Sequence, residues 1–426
     1  MQATKSAIIL AAGDGKRMNS DKPKVLMEVA FEPMLDWVLA AVNAAQISEV
    51  AVVIGNNAQL LEKHLAKNHP NVKTFLQAQR KGTGHAVMQA EEFLKEHGGD
   101  VLVLCGDAPF IDCATIEQAY ELHRANDFAT TVITAELDNP TNYGRILRSG
   151  DRILGIVEHK DCTPEQLLVR EINSGAYWFK ADSLLSTLPK LTNANANGEY
   201  YLTDVAGFSE NAGAYKSANP QITLGANNRR DLRELNAIAF ENIINKHCDN
   251  GVDVIGECYI ARNAVIGRDT TLLPGTVIRP DVKIGSGCTI GPFAHLRPGT
   301  VLADKVKVGD FVELKSATVG EKTSIAHLSY IGDAVVGSGV NFGCGCVTAN
   351  YDGVNKYTTT IHDNAFIGCN TNLIAPVTVG ENAMTAAGST INKDVPANAL
   401  ALERAELRVK ENWKLNETRR NNSKQK

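Results

Sequence analysis

Several things are scarce in this 426-residue chain. Aromatic residues make up only 6%, which suggests that part of the molecule builds its core without ring packing. No apolar run exceeds six residues, Ala7–Ala12 being one, too few to span a bilayer as a helix. That run follows a single Lys5 and passes straight into Asp14, Lys16 and Arg17, so a signal peptide is not expected. Charge of one sign is not in excess: 43 Lys and Arg stand against 48 Asp and Glu, a net charge of -5. Without a basic field, neither nucleic acid nor an anionic membrane is an expected partner. The nine cysteines are odd in number and lack framework spacing, which reads as free thiols in a reducing compartment, the cytoplasm. With 44% hydrophobic and 21% charged residues the chain is neither disordered nor fibrous. Its 35 glycines call for many turns, and its length for two or three domains.

The first half alternates short apolar runs with amphipathic stretches. Ser6–Ala11, Val50–Ile54 and Val101–Leu104 read as buried strands. Met34, Leu35, Val38, Leu39 and Val42 recur at helical spacing, as do Leu60, Leu61 and Leu65, and Ile116, Tyr120 and His123. The alternation predicts a mainly parallel, Rossmann-like α/β sheet with helices on both faces. In such sheets ligands gather at the carboxyl ends of the strands. Asp231–His247 predicts a connecting helix, with Leu232, Leu235, Ile238, Ala239 and Ile243 on one face.

From Val254 the period becomes six. Aliphatic residues stand at Val254, Ile260, Ile266, Leu272, Ile278, Ile284, Ile290, Leu296, Leu302, Val308 and Leu314 without a miss, and small residues often stand two places before them. The phase slips by one residue twice, runs through Val319, Ile325, Ile331, Val336 and Phe342, and resumes after an insertion at Ile361, Ile367, Leu373, Val379 and Ile391. Such a period fits a solenoid with three flat sides per coil, each aliphatic side chain stacking on its equivalent one coil away. The expected domains are residues 1–228, a linker helix 229–251, the solenoid 252–392 and a tail 393–426. Past Trp413 the tail reads as a solvated charged segment. A flat solenoid side needs cover, and a homotrimer would supply it.

The loop after the first strand, Leu10-Ala-Ala-Gly-Asp-Gly-Lys-Arg-Met18, suits a phosphate cradle. Glycines let backbone N–H groups approach an anion, and Arg17 and Lys24 add positive charge. A tight strand–helix turn would explain Gly13 and Gly15 equally well, and the loop matches neither the dinucleotide fingerprint nor the Walker A pattern. The wider string, running on through Ser20 to Pro23-Lys-Val-Leu26, resembles the sugar-nucleotide pyrophosphorylases. So do Gln77-Ala-Gln-Arg-Lys-Gly-Thr-Gly-His-Ala86, Gly106-Asp-Ala-Pro109, Tyr143-Gly-Arg145, Val157-Glu-His-Lys160, Glu171-Ile-Asn-Ser-Gly175 and Gly198-Glu-Tyr-Tyr-Leu-Thr-Asp204. With the hexapeptide solenoid behind it, nearly the whole chain resembles the bacterial bifunctional UDP-N-acetylglucosamine pyrophosphorylase/glucosamine-1-phosphate N-acetyltransferases.

The resemblance implies that the solenoid is a left-handed parallel β-helix. It implies UTP, N-acetylglucosamine-1-phosphate, glucosamine-1-phosphate and acetyl-CoA as substrates, with Mg²⁺ as cofactor. Leu10, Ala11, Ala12, Gly13, Lys24, Gln77, Gly82 and Thr83 would bind the nucleotide. Gly144, Glu158, Asn173 and Asn227 would hold the amino-sugar, and Asp107 and Asn227 the metal. Read alone, Asp107 would be a turn cap. Arg17 and Lys24 would stabilise charge on the UTP phosphates, and no general base is needed for a phosphate nucleophile. In the solenoid, His327 (in Ala326-His-Leu-Ser-Tyr330) would take the proton of the substrate amine. Arg297, Lys315, Tyr330 and Asn341 would bind the sugar phosphate. Cys344, Asn350, Tyr351, Cys369, Ala387 and Arg404 would line the acetyl-CoA path. Asn350-Tyr-Asp-Gly353 opens the insertion, which by the same analogy reaches toward a neighbouring subunit.

The sequence also departs from that family. The solenoid is shorter than usual by about two coils, which would bring the two sites closer. Cys369 stands for a serine, Cys344 and Cys346 for alanine and threonine, and Lys16 for a threonine. The Cys-x-Cys pair could hint at metal but lacks a second pair, so stacked thiols are preferred. Two other readings are a nucleotidyltransferase with a merely structural or regulatory solenoid, and a γ-carbonic-anhydrase-type zinc site using His295 and His327. The joint presence of Arg297, Lys315, His327, Tyr330, Asn350 and Tyr351 argues against the first. The want of a third histidine argues against the second.

Overall fold

The computed structural model describes residues 4–13, 15–55, 58–149, 152–209 and 211–411. Arg404 is among them; the tail beyond Trp413, like Asp14, lies outside the described residues. The chain divides into two compact units, Met1–Glu241 and Asn242–Lys426.

The first unit is built on one sheet. Its strands are β1 (Lys5–Ala11), β2 (Glu49–Gly55), β3 (Lys73–Gln77), β4 (Asp100–Cys105), β5 (Thr130–Glu136), β6 (Arg145–Ser149), β7 (Arg152–Val157), β8 (Glu171–Lys180) and β9 (Ala212–Lys216). The order is β9-β5-β8-β4-β1-β2-β3, with the hairpin β6–β7 attached to β8. Pairings β4–β1, β1–β2, β2–β3 and β5–β9 are parallel, while β8 runs antiparallel to both β4 and β5. The sheet is therefore mixed rather than simply parallel. The antiparallel β8 could not be seen in the apolar pattern, since a buried strand reads the same in either direction.

Continuous apolar runs make β1, β2 and β4, and both of their faces are covered. One core cluster joins Ile9, Val52 and Leu104 to Leu35 and Val38 of helix α1 (Met34–Ala44). The other joins Ile8, Val53 and Val103 to Phe93, Leu184 and Val205. Asp100, whose partner Tyr120 packs against the first cluster, is almost wholly buried. It accepts hydrogen bonds from Tyr120 Oη and Arg124 Nη1, both at 3.1 Å.

The second unit is the left-handed parallel β-helix. Three columns of two- to seven-residue strands run its length in parallel register. One stacks Ile260, Ile278, Leu296, Leu314 and Ile331. Another stacks Val254, Leu272, Ile290, Val308, Ile325, Phe342 and Ile367. The third stacks Ile266, Ile284, Leu302, Val319, Val336, Ile361 and Val379. Apart from half-buried Val254, all of these side chains are buried, each burial contributing roughly 1.5–3 kcal/mol before entropy.

The small residues between them are buried too, and they close polar gaps. Thr270, Thr300 and Thr323 donate their hydroxyls to the carbonyls of Gly285, Arg297 and Gly337 at 2.7–2.8 Å. Cys258, Cys288 and Cys346 do the same with thiols, at 3.3, 3.2 and 3.2 Å from Leu273, Ala303 and Gly368 O. The one-residue slips have a local cause. At Ser316 (φ 46°) and Asp333 (φ 48°) the left-handed corner residue, which the regular corners at Asp281 (φ 61°) and Lys305 (φ 58°) also have, comes one position early and falls inside the strands Glu313–Val319 and Tyr330–Val336. Among the described residues no helix is long and apolar enough to cross a membrane.

Candidate active sites

β4 and β1 are neighbours, and the sheet reverses its order of growth between them, so their carboxyl ends open a crevice. Gly106 N–H donates to Leu10 O at 2.9 Å and ties the two strand ends together. A cleft of about 300 Å³ is lined there by Leu10, Ala12, Gly13, Lys24, Gln77, Gly82, Thr83 and Asp107. The sequence pattern had singled out all eight, but Arg80, Cys105 and Glu199, which also line it, it had not. Ala11 borders an adjoining cleft of about 390 Å³ that shares Ala12, Gly13 and Arg80.

Two glycines shape this cleft. Gly15 (φ +59°) lies so near Lys24 that an added Cβ would meet the Lys24 Cβ at 2.9 Å. Gly82 (φ +105°) would bring a Cβ to 2.4 Å from Tyr200 O, so only glycine lets this loop lie on the Tyr200 backbone. Buried Gln77 donates Nε2 to Gly82 O at 3.1 Å, and Thr83 Oγ1 accepts from Leu202 N–H at 3.0 Å. The loop from Gln77 to Thr83 is thus held at both ends.

Lys24 is the centre of charge. Its ammonium pairs with the Asp107 carboxylate and donates to Asn227 Oδ1 at 2.9 Å; Arg17 Nη2 reaches the same oxygen at 3.4 Å. Asn227 is held by its backbone N–H, which donates to Asp231 Oδ2 at 2.8 Å. Asp107 and Asn227 line a third cleft, of about 420 Å³, with Tyr143, Ser174 and Gly225. Two hard oxygen donors facing one cation are what a magnesium ion needs from protein when phosphates and water supply the rest, so these residues fit Mg²⁺. Cys105 borders the 300 and 420 Å³ clefts, but burial pushes its pKa up to about 12, with Asp107 adding to the effect. It is a neutral thiol at pH 7 and no nucleophile.

Gly144, Glu158 and Asn173 form a separate group. Asn173 N–H donates to Gly144 O at 2.9 Å, and a Cβ on Gly144 would come within 3.4 Å of Glu158 Oε1. Thr203 Oγ1 donates to Glu158 at 3.5 Å. Burial, helped by nearby Asp161, Asp204 and Glu199, raises the Glu158 pKa. Asn173 Nδ2 donates to Tyr177 Oη at 2.6 Å. None of these three lines the 300 or 420 Å³ cleft.

On the solenoid, His327 is exposed, with Nδ1 2.6 Å from Asp310 Oδ1. A carboxylate at Nδ1 selects the tautomer that leaves Nε2 free to accept a proton. Arg297 Nη1 donates to Glu313 Oε1 at 2.7 Å, and Glu313 is the ladder partner of Tyr330. Lys315 and Lys356 crowd together: the Lys315 ammonium pushes the Lys356 pKa down, while Asp333 and Tyr330 oppose it. Two ammonium groups side by side make an anion site. Asn350 is buried and donates Nδ2 to Asp333. The insertion it opens is a small turn in which Asp352 accepts from Val354 and Asn355 N–H and Tyr357 N–H donates to Asn350 O at 2.9 Å. Tyr351 is exposed and donates Oη to Gly353 O at 2.5 Å. Asn341, Cys369, Ala387 and Arg404 are exposed and Cys344 is half-buried. Gly388 N–H donates to Cys369 O at 2.8 Å, which places Ala387 beside Cys369. Burial pushes the Cys346 thiol up to about 11, so Cys346 is a packing residue.

The nucleotidyl transferase family matches residues 6–215, and the bacterial transferase hexapeptide family (six repeats) matches 263–298, 281–316 and 358–393. A bifunctional protein GlmU from Clostridium acetobutylicum is 43% identical over 448 residues, which cover 96% of this chain and 98% of that protein. The GlmU of Clostridium kluyveri is 44% identical over 447 residues, covering 96% and 97%. The chain belongs to the GlmU family. A solved UDP-glucose pyrophosphorylase complexed with UDP-glucose is 18% identical, with a TM-score of 0.46, covering 56% of this chain and 99% of its own.

As a GlmU-family member the chain is an enzyme that joins a nucleotidyltransferase to a hexapeptide acyltransferase, and a solenoid serving only as scaffold is set aside. Sequence reading of the GlmU pattern passed over Asp310, Glu313, Asp333 and Lys356. The first could have been found by counting. Asp310 stands 17 residues before His327, one eighteen-residue coil less the one-residue slip, and the two are ladder partners. Asp333 stands the same distance before Asn350.

Proposed function

We propose that residues 1–228 carry uridylyl transfer and residues 252–392 acetyl transfer, in the synthesis of UDP-N-acetylglucosamine. The observation that carries this reading is the presence, one in each unit, of two differently built charge clusters: Lys24 with Asp107 and Asn227, and His327 with Asp310.

In the first reaction the amine of glucosamine-1-phosphate attacks the thioester carbonyl of acetyl-CoA. The C–N bond forms, the C–S bond breaks, and the amine proton passes to His327 Nε2. Asp310 holds the imidazole and stabilises its protonated form. Lys315, Lys356 and Arg297 hold the sugar phosphate. Tyr330 and Asn341 orient the sugar, and Asn350, Tyr351, Cys344, Cys369, Ala387 and Arg404 border the coenzyme. In the second reaction a phosphate oxygen of N-acetylglucosamine-1-phosphate attacks the α-phosphorus of UTP and pyrophosphate leaves. That oxygen is anionic at pH 7, so the chain supplies alignment and charge rather than a base. The backbone from Ala11 to Gly13, Arg17 and Lys24 grip the triphosphate; Gln77, Gly82 and Thr83 read the uracil. Gly144, Glu158, Asn173 and Asn227 position the sugar. Asp107 and Asn227 would hold Mg²⁺, which would neutralise charge on the UTP phosphates.

We further propose a homotrimer in the cytoplasm. Supporting it is a stack of exposed rings on the solenoid, Phe293 over Phe311 with centroids 5.4 Å apart, that asks for cover. The test uses purified protein with glucosamine-1-phosphate, acetyl-CoA, UTP and Mg²⁺, scored separately for free thiol and for pyrophosphate. Release of both supports the reading. Pyrophosphate without thiol, even at saturating acetyl-CoA, would overturn the acetyl-transfer half.

A further inference from the structure

A third constellation, Asp36 with His64 and His69, shares no residue with the Lys24 and His327 clusters. Asp36 stands in the first turn of α1. His64 lies on the helix α2 (Gln59–Asn68), and His69 caps that helix. Asp36 Oδ1 is 2.7 Å from His64 Nε2 and 3.1 Å from His69 Nε2, and one donor atom from each of the three falls within 4.8 Å of the others. All three side chains are largely shielded, 19, 17 and 27% exposed respectively. The two rings are 6.0 Å apart and tilted, so their Nε2 edges converge rather than stack.

We propose that Asp36, His64 and His69 form a binding site for a zinc-class divalent transition metal. Two imidazole nitrogens and one carboxylate oxygen are the donor set of a four-coordinate zinc site that leaves one position to water. The spacing is close to what such an ion requires. Ligand atoms around a tetrahedral zinc lie about 3.3 Å apart, given bonds of about 2.0–2.1 Å. The observed contacts of 2.7 and 3.1 Å need to open by about 0.6 and 0.2 Å. An outer partner is present as well. The Asn68 Nδ2 lies 3.1 Å from His64 Nδ1; a half-turn of that amide would set its oxygen against a protonated Nδ1 and free Nε2 for a metal. Mg²⁺ is not the expected occupant, since it demands oxygen ligands. The ion would clamp α1 to α2, whose apolar residues Leu35, Leu61 and Leu65 share one core cluster. Leu61 also lines the 390 Å³ cleft, so the clamp would fix one wall of it.

The test uses the full-length protein, stripped with a chelator and dialysed into excess Mg²⁺. Zn²⁺ binding is then measured by equilibrium dialysis, and Co²⁺ serves as an optical probe. The native chain should bind one more equivalent of Zn²⁺ than the His64→Gln/His69→Gln chain. Asp36→Asn should weaken that equivalent on the order of 10- to 100-fold. Co²⁺ should develop the intense visible bands of a four-coordinate ion in the native chain only. Equal zinc stoichiometry in the two chains would overturn the proposal and assign the metal to the free thiols. A weak, six-coordinate Co²⁺ spectrum in the native chain would overturn it too, leaving the cluster a hydrogen-bonded clamp. If the double variant does not fold, His64→Gln and His69→Gln are measured singly, and the native Co²⁺ spectrum still decides.

Discussion

The two units solve the same problem, holding charged groups against a small anionic substrate, by opposite use of sequence distance. In the sheet unit the partners are remote. Lys24 meets Asn227 across 203 positions, and only the three-dimensional path of the chain brings them together. In the solenoid the partners are regular. His327 finds Asp310, and Asn350 finds Asp333, at a separation of 17. A crevice at strand ends collects whatever the loops bring, whereas a coil presents what stands one turn earlier. The first is free to vary its loops and the second is bound to its period.

Substitutions can break this comparison, and the largest effect should come from the solenoid. His327→Ala should cut acetyl transfer, read as thiol release, about 10²- to 10⁴-fold and leave pyrophosphate release from N-acetylglucosamine-1-phosphate intact. Loss of both activities in a folded protein would deny that the units work separately. Lys24→Ala should do the reverse, lowering uridylyl transfer by about 10²–10³-fold with thiol release unchanged. Asp107→Ala belongs with it. The remaining turnover should lose its Mg²⁺ dependence, and unchanged dependence would remove Asp107 from the site.

Stability sharpens the contrast further. Ile290→Ala removes a fully buried column residue and should cost about 2–5 kcal/mol in a denaturant titration. In the sheet unit Asp100→Asn should cost on the order of 3 kcal/mol, and that cost should depend on pH. Burial works to raise the Asp100 pKa, but His123, Arg124 and Tyr120 outweigh it and the net shift is downward. A lowered folded pKa gives stability that is full above the ordinary aspartate range and is lost as pH falls through the folded value. The native chain and the Asp100→Asn chain should therefore converge below about pH 4. The smallest effect is expected for Cys288→Thr, which keeps a donor to Ala303 O in a column that already uses threonine.

What could be read in advance differed between the units for the same reason. Periodicity revealed the solenoid's inner face, from Val254 to Ile391, because the inward positions keep a spacing of six apart from two one-residue slips and one insertion. In the sheet unit the apolar runs located β1, β2 and β4, but nothing in Glu171–Lys180 marks β8 as antiparallel. At the sites, the lining from Leu10 to Thr83 was legible through the resemblance of long strings. Arg80 and Glu199 were not, since a charged loop residue looks the same whether it faces a cleft or water. The clustering of Asp36 with His64 and His69 had no linear signature at all: the aspartate belongs to one helix and both histidines to another.

The left-handed corners at Ser316 and Asp333 set a rule for changing this protein's length. A whole floor can be taken out or put in and every other storey still looks the same way, so the solenoid can grow or shrink only in such steps. The two corners that come one residue early, at Ser316 and Asp333, both fall on the storeys beside His327.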